Sequence, residues 1–131
     1  MSSKTDAIVC IDDDLIILRL LEYQLREIFQ DSNVLIETFS KPLDFINSLD
    51  LFAENNINIM YVLVDFKMPV MNGADLIRKV KSKIPKTKFI MISGQANDEV
   101  ILDLKKNGLL DSFISKPWKI EELQINLTSK H

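Results

Sequence analysis

The chain has 131 residues, of which 47% are hydrophobic and 27% are charged, a composition typical of one soluble globular domain. It contains no run of about 20 apolar residues that would span a membrane, and its formal charge of −3 comes from interspersed acids and bases, without a basic stripe that would indicate direct nucleic-acid binding. The single cysteine, Cys10, lies in an apolar run without an intrachain partner, so we expect a buried free thiol in a cytoplasmic protein.

Short apolar runs alternate with helical patterns along the whole chain. In order, the patterns predict a strand at 7–11, a helix at 15–29, a strand at 34–39, a helix from near Pro42 towards Phe52, a strand at 57–64, a helix after Gly73 through Lys83, a strand at 89–92, a helix from Asn97 or Asp98 through Lys106, a strand at 112–115 and a helix from about Lys119. Because parallel strands need crossover connections, the alternation predicts an α/β fold. We expect one doubly wound, flavodoxin-like (βα)5 domain over residues 1–131, a five-stranded parallel sheet with helices on both faces.

Local signals mark where several of these helices begin and end. Ser40 is predicted to cap the second helix, whose first residues include Pro42. Pro85 is predicted to stop the third helix, and Asn107-Gly108 is predicted to end the fourth.

Polar residues follow the apolar strands at four places: Asp12 with Asp13, then Asp65, Ser93 and Lys116. Because the strands of a parallel sheet end at one edge, these side chains are expected to share a pocket. Crowded carboxylates repel one another unless a cation lies among them. Carboxylate oxygens suit Mg²⁺, so the pattern predicts a magnesium site and phosphate chemistry.

Each of these residues also has a purely structural interpretation. The three acids at 12–14 could cap a helix, and we expect Asp14 to be the capping or exposed member. Asp65 and Ser93 could be simple turn residues, and Lys116 could be an ordinary surface lysine. Phe113 is most simply a partly buried strand aromatic.

Four motifs in this order resemble the receiver domain of two-component response regulators over nearly the whole chain. They are Ile11-Asp12-Asp13-Asp14, Val64-Asp65-Phe66-Lys67-Met68-Pro69 with Asn72-Gly73, Ile92-Ser93-Gly94, and Phe113-Ile114-Ser115-Lys116-Pro117. Each motif alone is weak, and the combination at successive strand ends is specific.

The resemblance implies roles for the acids and for their partners. Asp65 would be the phosphoacceptor, and Mg²⁺ would be held by Asp13, Asp65 and the backbone carbonyl of Lys67, with Asp12 as a further ligand or acting through water. Ser93 and Lys116 would contact the phosphoryl group. Phe113 would be the switch aromatic, which here lacks the hydroxyl of a tyrosine.

The resemblance also implies partners. A sensor histidine kinase or a phosphotransfer protein would supply the phosphoryl group. The face made by the fourth helix, the fifth strand and the fifth helix would signal to an effector protein or a covalently linked output domain, and phosphorylation could produce a homodimer. We further predict that Lys67 and Gln95 set the lifetime of the aspartyl phosphate, because both could obstruct or orient the attacking water.

Three other functions deserve comparison with a phosphorylation switch that catalyses only its own phosphorylation and dephosphorylation. A dehalogenase-like phosphatase would carry a second Asp where this chain has Lys67, and it would use a cap domain. A flavin-binding domain would have a Ser/Thr/Gly-rich loop after the first strand, where acids that repel phosphate stand instead. A degenerate receiver that serves only as a docking module stays open, because sequence does not show that Asp65 reacts.

Overall fold

The computed structural model describes residues 4–95 and 97–128, and the predicted alternation of strands and helices is confirmed over this part of the chain. Its elements are β1 (Thr5–Ile11), α1 (Leu15–Ile28), β2 (Leu35–Phe39), α2 (Pro42–Glu54), β3 (Ile57–Val64), α3 (Gly73–Val80), β4 (Lys88–Ser93), α4 (Asp98–Lys106), β5 (Ser112–Ser115) and α5 (Ile120–Thr128). The expected single domain at 1–131 also includes residues 1–3, 96 and 129–131, which lie outside the described residues.

The five strands form one parallel sheet in the order β2-β1-β3-β4-β5. The chain steps outward from β1 to β2, then returns past β1 to β3 and continues to β5. The strand order therefore reverses beside β1, and in such sheets ligands bind at the carboxyl ends of the strands near this reversal. The doubly wound α/β fold predicted from the sequence is confirmed.

Alternate strand side chains point to opposite faces, and each face is covered by helices. On one face Val9 packs in a cluster with apolar residues of α2, α3 and α4, among them Phe45 and Ile77. On the other face Ile8 packs with residues of α1 and α5, among them Leu21 and Leu123. Burial on both faces explains why the three central strands, β1, β3 and β4, are largely apolar.

Cys10 lies on the α1 and α5 face and is fully buried, as predicted. Burial raises the pKa of its thiol far above the ordinary range. Among the described helices, none has the length and apolar character needed to cross a bilayer.

Two predicted helix boundaries are wrong. Lys41, and not Ser40, is the N-cap of α2, and its side chain makes no capping hydrogen bond; because Pro42 occupies the first turn and has no N–H, there is one donor fewer to satisfy. The helix α3 ends at Val80, before Lys83. The residue that precedes a proline is disfavoured in a helix, and the chain forms a turn ahead of Pro85 in which the amide N–H of Lys83 donates to the carbonyl of Val80.

Candidate functional site

Sheet register brings the polar residues at the strand ends together. Ile11 of β1 pairs with Val64 of β3, and the ladder continues one residue further, where the amide N–H of Asp65 donates to the carbonyl of Ile11 at 3.0 Å. Beyond β4 and β5, the amide N–H of Lys116 donates to the carbonyl of Ser93 at 3.2 Å. The side chains that follow the strands are therefore fixed at one edge by the backbone.

Three carboxylates meet at this edge. Each of Asp12, Asp13 and Asp65 offers an oxygen, and these oxygens all lie within 4.8 Å of one another. Asp12 and Asp65 are buried, whereas Asp13 is exposed. Because like charges in such proximity disfavour ionisation, a cation among them would be stabilising. An all-oxygen donor set with one side open to water fits Mg²⁺, which retains several water ligands in proteins.

The ammonium group of Lys116 partly neutralises the cluster. Its Nζ donates to Oδ2 of Asp12 at 2.8 Å and lies 3.3 Å from Oδ2 of Asp65. The sequence predicted that Lys116 supplies a positive charge to Asp65, but its closer contact with Asp12 was not predicted. The spacing in sequence gave no sign of it, because both contacts come from the order of the strands.

The pKa values of Asp12, which is buried, and of Lys116, which is half-buried, are both shifted. Burial raises the pKa of Asp12, and hydrogen bonds from Lys116 and from the amide of Asp14 oppose this shift without cancelling it. Burial alone would lower the pKa of Lys116, but its hydrogen bond to Asp12 and the charges of Asp12 and Asp65 raise it above its usual range. The proton therefore stays on the lysine at neutral pH.

Asp14 is the capping residue among the three consecutive acids, as predicted. Its Oδ1 accepts hydrogen bonds from the amides of Ile16 at 2.9 Å and Ile17 at 3.3 Å, at the start of α1. Asp12 in turn accepts a hydrogen bond from the amide of Asp14 at 2.9 Å. Capping thus uses one acid and leaves the other two at the carboxylate cluster.

The cluster opens into a cavity of ≈ 350 Å³, which we call the acidic pocket. Its lining residues are Asp12, Asp13, Asp14, Asp65, Lys67, Ser93, Gly94, Gln95 and Lys116. Ser93 is buried, and its Oγ accepts a hydrogen bond from the amide of Gln95 at 3.2 Å. Lys67 and Gln95 are exposed at the mouth. The structure therefore assembles every residue that the sequence predicted for this pocket.

Phe113 does not line the acidic pocket. It is half-buried and packs against the apolar cluster on the face of α2, α3 and α4. Its register partner in β4 is Met91, two residues before Ser93. Phe113 is therefore connected to the acidic pocket in two ways, along β5 to Lys116 and across to β4, which ends at Ser93.

Gly73 is a residue whose role the sequence did not reveal. A Cβ atom built on Gly73 would lie 2.3 Å from the carbonyl oxygen of Asp65, too close for any side chain. The amide of Gly73 also donates to the carbonyl of Phe66 at 2.8 Å. The loop after β3 thus folds back against the backbone of Asp65. The Asn72-Gly73 pair marked a turn, but close approach to Asp65 depends on the tertiary fold.

Comparison with known protein families agrees with this geometry. The family model for the response regulator receiver domain matches residues 8–128. The chain belongs to the response regulator receiver family. The resemblance inferred from its motifs is thereby confirmed.

Characterised relatives of this receiver include larger proteins. The response regulator protein TodT of Pseudomonas putida is 30% identical over 123 residues, which cover 94% of this chain and 50% of TodT. The autoinducer 1 sensor kinase/phosphatase LuxN of Vibrio campbellii is 32% identical over 78 residues, which cover 60% of this chain and 9% of LuxN. The receiver thus spans about half the length of TodT and a small part of LuxN.

Solved receiver domains have the same architecture. A CheY-like receiver domain protein from Methanospirillum hungatei has a TM-score of 0.77 at 27% identity, over 98% of this chain and 94% of that one. A BeF3-activated DrrB receiver domain has a TM-score of 0.72 at 26% identity, over 95% of this chain and 96% of that one.

Proposed function

We propose that this receiver is a phosphorylation-controlled signalling switch whose phosphoacceptor is Asp65. The observation that carries the proposal is the position of the Asp65 carboxylate, which lies among Asp12, Asp13 and Lys116 at the floor of an open pocket. A carboxylate can act as a nucleophile toward phosphorus. Here the ammonium group of Lys116 stabilises the negative charge of the incoming phosphoryl group.

Phosphorylation moves one phosphoryl group from a histidine side chain of the donor to Asp65. A carboxylate oxygen of Asp65 forms a bond to the phosphorus of a phosphohistidine, and the phosphorus–nitrogen bond breaks with its electron pair returning to the imidazole. The Lys116 ammonium and the Ser93 hydroxyl contact oxygens of the transferred group. Water later hydrolyses the acyl phosphate and restores Asp65, so the protein acts on itself rather than turning over a separate substrate.

Mg²⁺ is the cofactor that the carboxylate set fits. Asp12, Asp13, Asp65 and the backbone carbonyl of Lys67 would hold it. When bound, it neutralises the carboxylate charge that otherwise repels a phosphoryl group. The protein itself orients the carboxylate of Asp65 and, through Asp12 and Asp65, keeps the amine of Lys116 protonated.

The phosphoryl donor would be a sensor histidine kinase or a phosphotransfer protein, in the cytoplasm. The existence of related segments in both a response regulator protein and a sensor kinase/phosphatase supports a place in such a relay. The added phosphoryl group carries roughly −1.5 to −2 charges near neutral pH. New contacts to Ser93 and Lys116 would bias Phe113 and the α4-β5-α5 face, which would then bind an effector, a linked output domain or a second copy of the chain.

The intact mass of the protein tests this function directly. Incubation with acetyl phosphate and Mg²⁺ is expected to add one labile phosphoryl group to the wild type and to Asp31→Asn, an exposed acid distant from the pocket in sequence, but none to Asp65→Asn. Failure of the wild type to gain mass from acetyl phosphate and from phosphohistidine donors would contradict the switch. It would leave a receiver that serves only as a docking module.

A further inference from the structure

A second cavity lies at the opposite edge of the sheet, where β3 and β4 begin. We propose that this cavity, the basal cavity, binds a small anionic amphiphile, a molecule with an aliphatic body and a carboxylate or phosphate head. Its volume of ≈ 670 Å³ falls within the range of roughly 300–1,000 Å³ that is common for small-molecule sites. The proposal does not depend on phosphorylation of Asp65.

The inner wall of the basal cavity is apolar. Leu49 and Phe52 of α2 line it, together with Ile57 at the start of β3 and Ile84 and Pro85 ahead of β4. Leu49 and Phe52 belong to the core cluster on the face of α2, α3 and α4. An aliphatic body in the cavity would therefore extend the core and remove apolar surface from water.

The rim of the basal cavity is positively charged. Lys4, Lys83 and Lys86 line it and are exposed, while Asp50 is the acidic residue in the lining. Across residues 4–95 and 97–128, no ion pair involves any of these three lysines. An anionic head group at the rim would thus meet ammonium groups that no carboxylate neutralises.

The segment that leads from α3 into β4 beside the basal cavity is positively charged, although the chain as a whole is negatively charged. Residues 78–88 contain six basic residues and no acidic residue, whereas the whole chain has a formal charge of −3. The six are Arg78, Lys79, Lys81, Lys83, Lys86 and Lys88. Arg78 is paired with Asp75 and Asp103, and Lys83 and Lys86 are the two of the six that line the basal cavity. Charge of one sign over an apolar wall selects anions over cations of the same shape.

Hydrogen bonds hold the lysine-bearing loop between α3 and β4 in place. Nζ of Lys81 donates to the carbonyl of Thr87 at 3.0 Å, and Oγ1 of Thr87 donates to the carbonyl of Ile59 at 2.6 Å. Lys81 is therefore used to close the loop, which leaves Lys83 and Lys86 for a ligand. A site that is ordered before binding loses less entropy when it binds.

The opposite wall is fixed in the same way. The amide of Thr5 donates to the carbonyl of Asn56 at 3.1 Å, which ties the start of β1 to the turn between α2 and β3. Asn56 has a φ of 58°, a left-handed conformation that Asn tolerates better than most residues. Lys4 is thus held beside this turn.

Decanoate tests the proposal on the full chain, with amide shifts in ¹H–¹⁵N spectra as the measurement. We expect saturable shifts at Ile57 and Ile84, similar shifts with decyl phosphate, and none that saturate with decylammonium or inorganic phosphate. Binding of decylammonium as tight as that of decanoate, or no saturable shift with decanoate at millimolar concentration, would overturn the proposal. Equal binding of inorganic phosphate would exclude a contribution from the aliphatic body and overturn it too.

Paired variants separate a local contact from net charge. The double variant Lys83→Glu with Lys86→Glu is expected to weaken decanoate binding about tenfold or more, a loss of roughly 1.4 kcal/mol. The control, Lys105→Glu with Lys106→Glu, changes the net charge equally on exposed residues at the end of α4 and is expected to change affinity less than about twofold, because distant charges are screened. Equal losses in both double variants would contradict a site at the rim.

A third variant tests the cavity without changing its charge. Ala53 is an exposed residue of α2 that lines the basal cavity, so Ala53→Trp is expected to fill the space and abolish the saturable shifts. Mass labelling of Asp65 by acetyl phosphate is expected to stay unchanged in this variant. Decanoate binding that persists unchanged in a folded Ala53→Trp protein would place the ligand elsewhere.

Discussion

Gly73 shows how the absence of a side chain fixes the position of Asp65. In Gly73→Ala, a Cβ in ideal geometry would lie 2.3 Å from the carbonyl oxygen of Asp65. The backbone of Asp65 would therefore have to move. Overpacking of this kind costs about 1–3 kcal/mol of folding free energy. We expect Gly73→Ala to lower the free energy of unfolding by such an amount, measured in urea, and to slow acetyl phosphate labelling of Asp65.

Gly108→Ala is the matched control for this prediction. Gly108 has a φ of 71° but meets no atom within 4 Å of an added Cβ, so the strain is local and distant from the acidic pocket. This variant is expected to lose stability and to keep the wild-type labelling rate. A Gly73→Ala protein that is labelled as fast as Gly108→Ala would show that the backbone of Asp65 adjusts freely.

Lys67 and Gln95 lie at the mouth of the acidic pocket and are expected to control access of water to a phosphoryl group on Asp65. Both are exposed lining residues. Lys67→Ala and Gln95→Ala are predicted to change the half-life of the phosphorylated protein, followed by mass after removal of the donor. Lys106→Ala, an exposed lysine at the end of α4, serves as control. Half-lives equal to that of the control in both variants would refute the prediction.

At the scale of elements, Tyr61 joins β3 to the end of α5. Its hydroxyl donates to the carbonyl of Leu127 at 2.9 Å in a buried contact, one of the last helical carbonyls, which lack partners within a helix. Tyr61→Phe is expected to lower the free energy of unfolding by about 0.5–1.5 kcal/mol and to speed amide exchange in α5. Tyr23→Phe, at an exposed tyrosine of α1, is the control. Equal stability of the two variants would argue against this tie.

The same tyrosine gives a pH dependence with a definite sign. Burial raises the pKa of the Tyr61 phenol, so the unfolded chain releases this proton at a lower pH than the folded protein does. The contribution to stability is full below about pH 10 and declines as the pH rises through the folded pKa. Tyr61→Phe is therefore expected to lose less stability than the wild type as the pH rises above about 10. The raised pKa of Lys116 also lowers stability at high pH, but it does so in both the wild type and Tyr61→Phe and does not affect the difference between them.

The elements themselves were largely predictable, because their patterns are local. Apolar runs and helical spacing located all ten described elements. The errors arose where several local signals competed: Ser40 and Pro42 both suggested a helix start, and Pro85 acted through the turn before it rather than at its own position.

Which residues form the acidic pocket could be predicted better than which of them contact one another. Strand ends in a parallel sheet meet at one edge, so the acids, Ser93 and Lys116 could be grouped from the sequence. The contact of Lys116 with Asp12 depends on side-chain reach across the sheet, and the role of Gly73 depends on a loop that folds back. Neither distance follows from spacing along the chain.

At the scale of the molecule, the sheet separates charge between its two edges. The carboxyl edge carries the carboxylate cluster of the acidic pocket, and the opposite edge carries the lysines of the basal cavity. The proposal that residues 1–131 form one domain predicts that both edges unfold together. A single urea transition, with the same midpoint by fluorescence of Trp118 and by circular dichroism, is the expected result.

The stability of the molecule should also depend on Mg²⁺ through the acidic pocket. Without the ion, repulsion among three carboxylates within 4.8 Å is only partly offset by Lys116, so Asp13→Asn is expected to unfold at the same or a higher temperature than the wild type. An ion that binds the folded state and not the unfolded state raises the free energy of unfolding. The gain is roughly 2.7 kcal/mol when the Mg²⁺ concentration is one hundred times the dissociation constant. The order of the two melting temperatures is therefore expected to reverse.

Thermal unfolding in chelator and in a series of Mg²⁺ concentrations measures this reversal. Asp13 is exposed, so its replacement by Asn leaves the core intact, and Asp31→Asn controls for the loss of one negative charge elsewhere. Asp31→Asn should follow the wild type at every Mg²⁺ concentration. If Asp13→Asn gains as much from Mg²⁺ as the wild type does, the carboxylate of Asp13 is not a ligand, and the ion would have to be held by Asp12, Asp65 and backbone oxygen alone.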